Sequence, residues 1–196
     1  SELKGVDVIP FAVHVKGVEV GAHGTRSDED YTHDICYACS VQGGDHTSTV
    51  KDAYDDMGMV FMDSAVYCSV IAWGGDMKGL DWRFLRAVTG WDITEDEWKR
   101  ELGHRIIHIQ RAAELLGGPD VSWRPPKDDD NPPRFYEPLP SGPFKGQTTD
   151  KQEVERRRRE YYEAMGWDED GIPKPDVLKR LDLLDVNRAL DRVRQL

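Results

Sequence analysis

With 196 residues, 38% of them hydrophobic and six of them Trp, the chain can bury a core as one ordinary domain or two small ones. A charged fraction of 32%, a mean hydropathy of −0.65 and no apolar run near the ~18 residues of a membrane helix argue against a membrane span. A net charge of −11 without a dominant basic patch argues against nucleic acid as a partner, and three cysteines behind a start with no apolar leader point to a reducing cytoplasm.

Residues 5–20 read as short extended pieces, VDVIPF and then VHV-KG-VEV. Val13, Val15 and Val18 are β-branched, and Gly17 marks a turn or bulge. His14 carries no evident chemistry there, and His23 precedes Gly24-Thr25-Arg26 without a spacing that demands a site. His33, Cys36 and Cys39 look like half of a zinc site, but no second CxxC or HxxxH follows. Two cysteines in helical packing is the favoured reading, with a zinc protein using these three residues and Cys68 as the alternative that metal analysis would decide.

Gly43-Gly44-Asp45-His46-Thr47 is the first segment that could carry chemistry. Two glycines let backbone approach a ligand closely, and an acid and an imidazole that follow could exchange protons. A turn leading into a helix cap explains the same residues. Next, Val60, Phe61, Ser64, Ala65, Cys68 and Ala72 recur at three- and four-residue steps within Met57–Trp73, which predicts a buried helical face. Cys68 could hold an iron–sulfur cluster or a soft metal, or it could serve as a small hydrophobe on that face. Asp63 lies off the stripe, so one ligand could meet both residues only if the helix starts or ends near Asp63.

The clearest helix begins at Thr94, which forms a capping-box pattern with Glu97. Trp98, Leu102, Ile106, Ile109, Ala113 and Leu116 are expected on one stripe, and Gly117-Gly118-Pro119 to end it. His104 and His108, one turn apart, read as a satisfied surface pair. Residues 119–149, with Pro125-Pro126, Pro132-Pro133 and the acidic run Asp128–Asp130, read as a long irregular excursion, exposed or wrapped over a partner. Helix returns at about Asp150–Met165, where Arg156–Arg159 interleave with acids as a salt-bridged face. A turn at Gly171-Ile172-Pro173 and a short helix through Leu178 and Leu181 follow. The expected class is mainly α, in three stretches: 1–118, the connection 119–149, and 150–196.

Taken in order, several blocks resemble the C-terminal half of the aldehyde:ferredoxin oxidoreductase family. Val15-Lys16-Gly17-Val18-Glu19-Val20 is similar to its VKG-x-E segment, and Tyr37-Ala38-Cys39-Ser40 with Gly43-Gly44-Asp45-His46 to its YATS…RG-(A/G)-x-H segment. Asp63–Cys68 resembles D-S-x-x-x-C, and Leu102-Gly103-His104-Arg105-Ile106 resembles x-G-E-R-I. Tyr161-Tyr162-Glu163-Ala164-Met165-Gly166-Trp167-Asp168, with Gly171-Ile172-Pro173, Leu178 and Leu181, resembles the closing YY-x-x-x-GWD signature, the most specific of these blocks.

The resemblance implies a mainly helical piece of a larger enzyme that oxidises aldehydes to carboxylic acids. Tungsten, or sometimes molybdenum, is held by two pterins, and electrons leave through a 4Fe-4S cluster to ferredoxin or another electron-transfer subunit. It implies a catalytic role for His46 in proton transfer or substrate orientation. It implies pterin contact for Asp63 within a cofactor-facing set that includes Gly44 and Asp45, and cluster ligation for Cys68. A carboxylate suits the donor-rich pterin edge, and a thiolate suits iron. The family's CxxCxxxC group, its N-terminal pterin-binding domain and its upstream active-site acid have no counterpart here. The expectation is therefore that this stretch alone binds no complete cofactor. Asp45 stands where the family has a small residue or cysteine, and the step from His46 to Cys68 is shorter than usual. Both departures leave open a benzoyl-CoA-reductase-type active-site subunit, or a non-catalytic interaction module that retains the scaffold.

Overall fold

The computed structural model describes residues 5–20, 37–45, 53–66, 79–117 and 123–195. The first segment is compact at its start: Val6–Phe11 forms a 3-10 turn rather than the expected extended piece. Pro10 has no N–H to offer a ladder, and the chain instead closes on itself with Ala12 N donating to Val8 O at 3.2 Å. The extended pieces around Gly17 form a hairpin. Strands β1, His14–Val15, and β2, Val18–Glu19, pair antiparallel, with Val15 opposite Val18. Lys16 (φ 49°) and Gly17 (φ 80°) form the two-residue turn. Two positive φ values in succession match the right-handed twist of a tight hairpin.

Helix α1 spans Ala53–Ala65, and α2 spans Leu80–Thr89, between left-handed glycines Gly79 and Gly90. Of the predicted stretch Met57–Trp73, the part up to Ala65 is helical. Val66 takes a left-handed φ of 57° and stops the helix, and residues 67–78 lie outside the described residues. Of the predicted stripe, Val60 and Phe61 are buried, whereas Ser64 and Ala65 are exposed.

Helix α3, Glu95–Trp98, opens with the predicted capping box. Glu97 N donates to Thr94 Oγ1 at 3.2 Å, and Thr94 N donates to Glu97 Oε2 at 2.8 Å. A π turn over Lys99–Gly103 then joins it to α4, His104–Leu116. One extra residue in a turn rotates the downstream residues by about 100°. The predicted stripe is broken accordingly: Leu102 and Ile106 still flank the Phe61–Trp82–Trp98 cluster, but Ile109 is exposed. The buried face of α4 carries His104, Ile107, His108, Arg111, Ala112 and Leu115 instead. Half of that face is polar, so a hydrophobic pattern could not reveal it.

Helix α5, Lys151–Met165, is capped by Asp150, whose carboxylate accepts from Gln152 N and Glu153 N, and it ends at left-handed Gly166. Arg156 and Arg157 are paired as expected, both with Glu153 and Arg156 also with Glu160, whereas Arg158 donates to the Asp129 carbonyl at 2.8 Å. Helices α6, Pro175–Arg180, and α7, Leu184–Arg194, follow; α7 is not among the expected elements, although Leu183, Val186, Leu190 and Val193 recur at helical steps and face the core.

The architecture is mainly α with one small hairpin. Cys39, Val60, Ile107, Tyr161, Tyr162, Met165 and Trp167 form the central core, and the leucines of α6 and α7 pack on Ala112 and Leu115 as a second cluster. The segment 123–149 is irregular, with one 3-10 turn at Pro133–Tyr136. Its second part, residues 137–148, is largely exposed as expected, but Asp129, Asn131, Phe135 and Thr149 are buried in this chain, so the first part is packed rather than solvated.

Candidate functional site

The motif blocks, far apart in sequence, converge on one buried carboxylate. Asp129 has 1% of its side chain exposed, and so does its partner Arg111. The guanidinium grips both carboxylate oxygens, at 3.0 and 2.6 Å. Lys16 Nζ lies 2.9 Å from Asp129 and 3.5 Å from Glu114, and Tyr162 donates its hydroxyl to Asp129. Arg111 also reaches Glu114 at 3.1 Å and donates to the Gly171 carbonyl at 3.0 Å, while its plane rests 4.4 Å from the Trp167 ring. Two cations therefore face two anions, so the cluster is neutral as a whole. Burial alone would raise the Asp129 carboxyl, but Arg111 and Lys16 override it and hold the group well below the usual range. Burial raises Glu114, and Lys16 and Arg111 offset only part of that.

Gly171 shows how tightly the closing signature is seated. It has a φ of 71°, and a Cβ there would stand 2.6 Å from Arg111 Nη2 and 2.7 Å from the Tyr162 ring. His104 and His108 are buried, which corrects the expected surface pair. Trp167 Nε1 donates to His108 Nε2 at 3.2 Å, so the other ring nitrogen, Nδ1, carries the proton and donates to His104 O at 2.8 Å. Burial, with His104 beside it, lowers the His108 pKa to about 4. Cys39 is fully buried in the central core, and burial pushes its thiol up, so it is inert packing rather than a metal ligand in waiting. His33, Cys36 and Cys68, the other members of the zinc alternative, lie outside the described residues. Among the described residues no group of three potential ligands forms a metal cluster.

The network also positions the turn that precedes His46. Lys16 Nζ donates to the Ser40 carbonyl at 2.5 Å, and Ser40 Oγ accepts from Gln42 N at 3.0 Å. The glycines Gly43 and Gly44 press against the hairpin: a Cβ on Gly44 would be 2.3 Å from Val18 O, and one on Gly43 2.6 Å from Val15 O. Their close approach within the chain is thus to backbone of β1 and β2. From this seated turn, Gln42 Nε2 donates to Asp63 Oδ2 at 2.9 Å. The segment Gln42–Asp45 and the last turn of α1 are thereby brought together, and Asp63 presents an exposed carboxylate beside them. Among the described residues only the Oδ2 contact to Gln42 is seen. An acceptor-only carboxylate fits the N–H-rich edge of a pterin. Helix α1 ends two residues after Asp63. His46 and Cys68 lie outside the described residues. Sequence reasoning missed Gln42, Arg111 and Asp129; the only signals were the lysine of the VKG block and the closing YY-x-x-x-GWD signature, which meet at Asp129.

A family model described as aldehyde ferredoxin oxidoreductase, domains 2 & 3, matches residues 5–183. The chain belongs to the aldehyde ferredoxin oxidoreductase family. It is 51% identical, over its whole length, to the aliphatic sulfonate oxidoreductase, WOR-like subunit, of Pyrococcus furiosus, covering 32% of that protein. It is 34% identical to the tungsten-containing aldehyde ferredoxin oxidoreductase of the same organism, over 84% of this chain and 30% of that protein. The corresponding Pyrococcus horikoshii enzyme is 30% identical over 89% of this chain and 31% of the relative. The chain thus spans about a third of the length of the curated relatives it matches. Among the described residues no helix is long and apolar enough to cross a membrane.

Proposed function

We propose that this chain supplies the C-terminal, cofactor-facing part of a tungstopterin oxidoreductase. The reading is supported by family membership and by the Gln42–Asp63 contact, which gathers the turn before His46 and the end of α1 into one face. When bound, the bis-pterin tungsten group supplies two-electron oxidation or reduction of substrate. Molybdenum in its place is the metal alternative. Asp63 would accept from pterin N–H groups, and Gly44 and Asp45 lie on the same turn. His46 orients substrate or moves a proton at an imidazole nitrogen. Cys68 would be a ligand of a 4Fe-4S cluster, which would supply one-electron transfer to ferredoxin or another electron-transfer subunit. The pterin-binding domain that completes the site is a partner region, and the setting is cytoplasmic.

Two substrate readings differ. Oxidation of an aldehyde to the carboxylic acid follows the family name and the 34%-identical relative. The 51%-identical relative is called an aliphatic sulfonate oxidoreductase, and that higher identity favours a substrate bearing a sulfonate. Anaerobic assays of the tungsten-loaded complete protein should decide between them. A panel of simple aldehydes and a panel of aliphatic sulfonates would each be tested with a viologen or ferredoxin acceptor. Turnover confined to sulfonates selects the second reading, and turnover of unsubstituted aldehydes selects the first. Activity with neither panel would sink both.

A further inference from the structure

We propose that Gln42 is a positioning residue that pre-sets the Asp63 carboxylate for the pterin, an inference that rests on the pterin role proposed for Asp63. A carboxylate only accepts hydrogen bonds, so the amide must turn its Nε2 toward Oδ2, where it sits at 2.9 Å. The terminal torsion of an aspartate is soft, and one fixed hydrogen bond settles which oxygen is left for a ligand. Gln42 can do this because its own backbone is held in place. Its N–H is bound by Ser40 Oγ at 3.0 Å, and the Ser40 carbonyl is bound by Lys16. Lys16 in turn is locked to buried Asp129. Gly43 and Gly44, seated on hairpin carbonyls, close the other side of the turn.

The choice of an amide matters chemically. The RG-(A/G)-x-H segment that this block resembles carries arginine where Gln42 stands; here the contact to Asp63 comes from a neutral amide. The glutamine ties down one carboxylate oxygen and adds no charge of its own, which sets the other oxygen for the N–H donors of the cofactor. Ordering the carboxylate before the ligand arrives removes an entropic cost from binding, as supporting residues around a cofactor site commonly do.

The test uses the complete, cofactor-loaded protein and four variants: Gln42→Ala, Gln42→Glu, Asp63→Asn and Gln42→Ala/Asp63→Asn. Tungsten and pterin retained per polypeptide are followed over time in mild urea, with the unfolding midpoint measured alongside. Gln42→Ala should release tungsten and pterin about tenfold faster than the parent, and Gln42→Glu faster still, because a second carboxylate would face Asp63. The double variant should release no faster than Asp63→Asn alone, since Gln42 acts only through Asp63. Parent-like release from both Gln42 variants, or additive losses in the double variant, would overturn the inference. Parent-like release from Asp63→Asn would instead remove the pterin role of Asp63 itself, which separates that failure from one confined to Gln42.

Discussion

Asp129→Asn removes one negative charge from a site where Arg111 and Asp129 each have 1% of their side chain exposed. The asparagine keeps the volume but can accept at only one atom, so the two-oxygen grip of Arg111 at 3.0 and 2.6 Å is lost. Lys16 and Arg111 would then share Glu114 alone, at 3.5 and 3.1 Å, and the cluster would hold one uncompensated buried cation. Breaking such a pair from one side costs about 3–5 kcal/mol, more than the pair is worth when both partners are exchanged for apolar groups. In a chain of this length each kcal/mol moves the midpoint by about 2–4 °C, so the melting temperature should fall by roughly 10 °C. Circular dichroism melts and urea titrations of the parent, Asp129→Asn and Asp130→Asn would check this. Asp130 is a quarter exposed, with Lys151 at 3.7 Å and Tyr136 as partners, so its loss should cost about 1 kcal/mol. If Asp129→Asn were as mild as Asp130→Asn, the buried hub would not be what holds the motif blocks together.

Acid should weaken the fold through His108. Its folded pKa, about 4, lies below the ordinary 6.5, so the unfolded chain binds the proton first. Stability is fully present above pH 6.5 and is lost as pH falls toward 4, by about 3 kcal/mol; urea midpoints across that range should show the slope, and His108→Gln should flatten it. Gly171→Ala should destabilise by about 2 kcal/mol or more, since the new Cβ would stand 2.6 Å from Arg111 at a positive φ; a midpoint equal to the parent's would mean that the turn relaxes freely. Thr94→Ala should cost about 1 kcal/mol through the lost capping box, visible as a lower thermal midpoint and unchanged far-ultraviolet ellipticity at low temperature.

The local signals that proved legible were those written within a few residues. The turn at Gly17, the Thr94–Glu97 box and the Arg156–Glu160 pairs each depend on neighbours in sequence. The misreadings came from long-range pairing. An acidic run such as Asp128–Asp130 looks solvated until Arg111, Lys16 and Tyr162 arrive from elsewhere to neutralise its middle member. The same applies to α4, where His108 and Arg111 face inward because Trp167 and Asp129 satisfy them, while Ile109 is left outside. At the candidate site Asp63 stands out through its motif. Gln42 does not, because an amide side chain carries no pattern until the turn that bears it is seated.

This chain is proposed to contribute ligands to a tungsten and iron–sulfur redox centre. Elemental analysis of the complete protein, expressed anaerobically with tungstate beside a Cys68→Ala variant, tests that role most directly. Tungsten with about four irons per polypeptide is expected in the parent, and loss of iron in Cys68→Ala. A parent without tungsten and iron, or a variant that keeps its full iron, would contradict it.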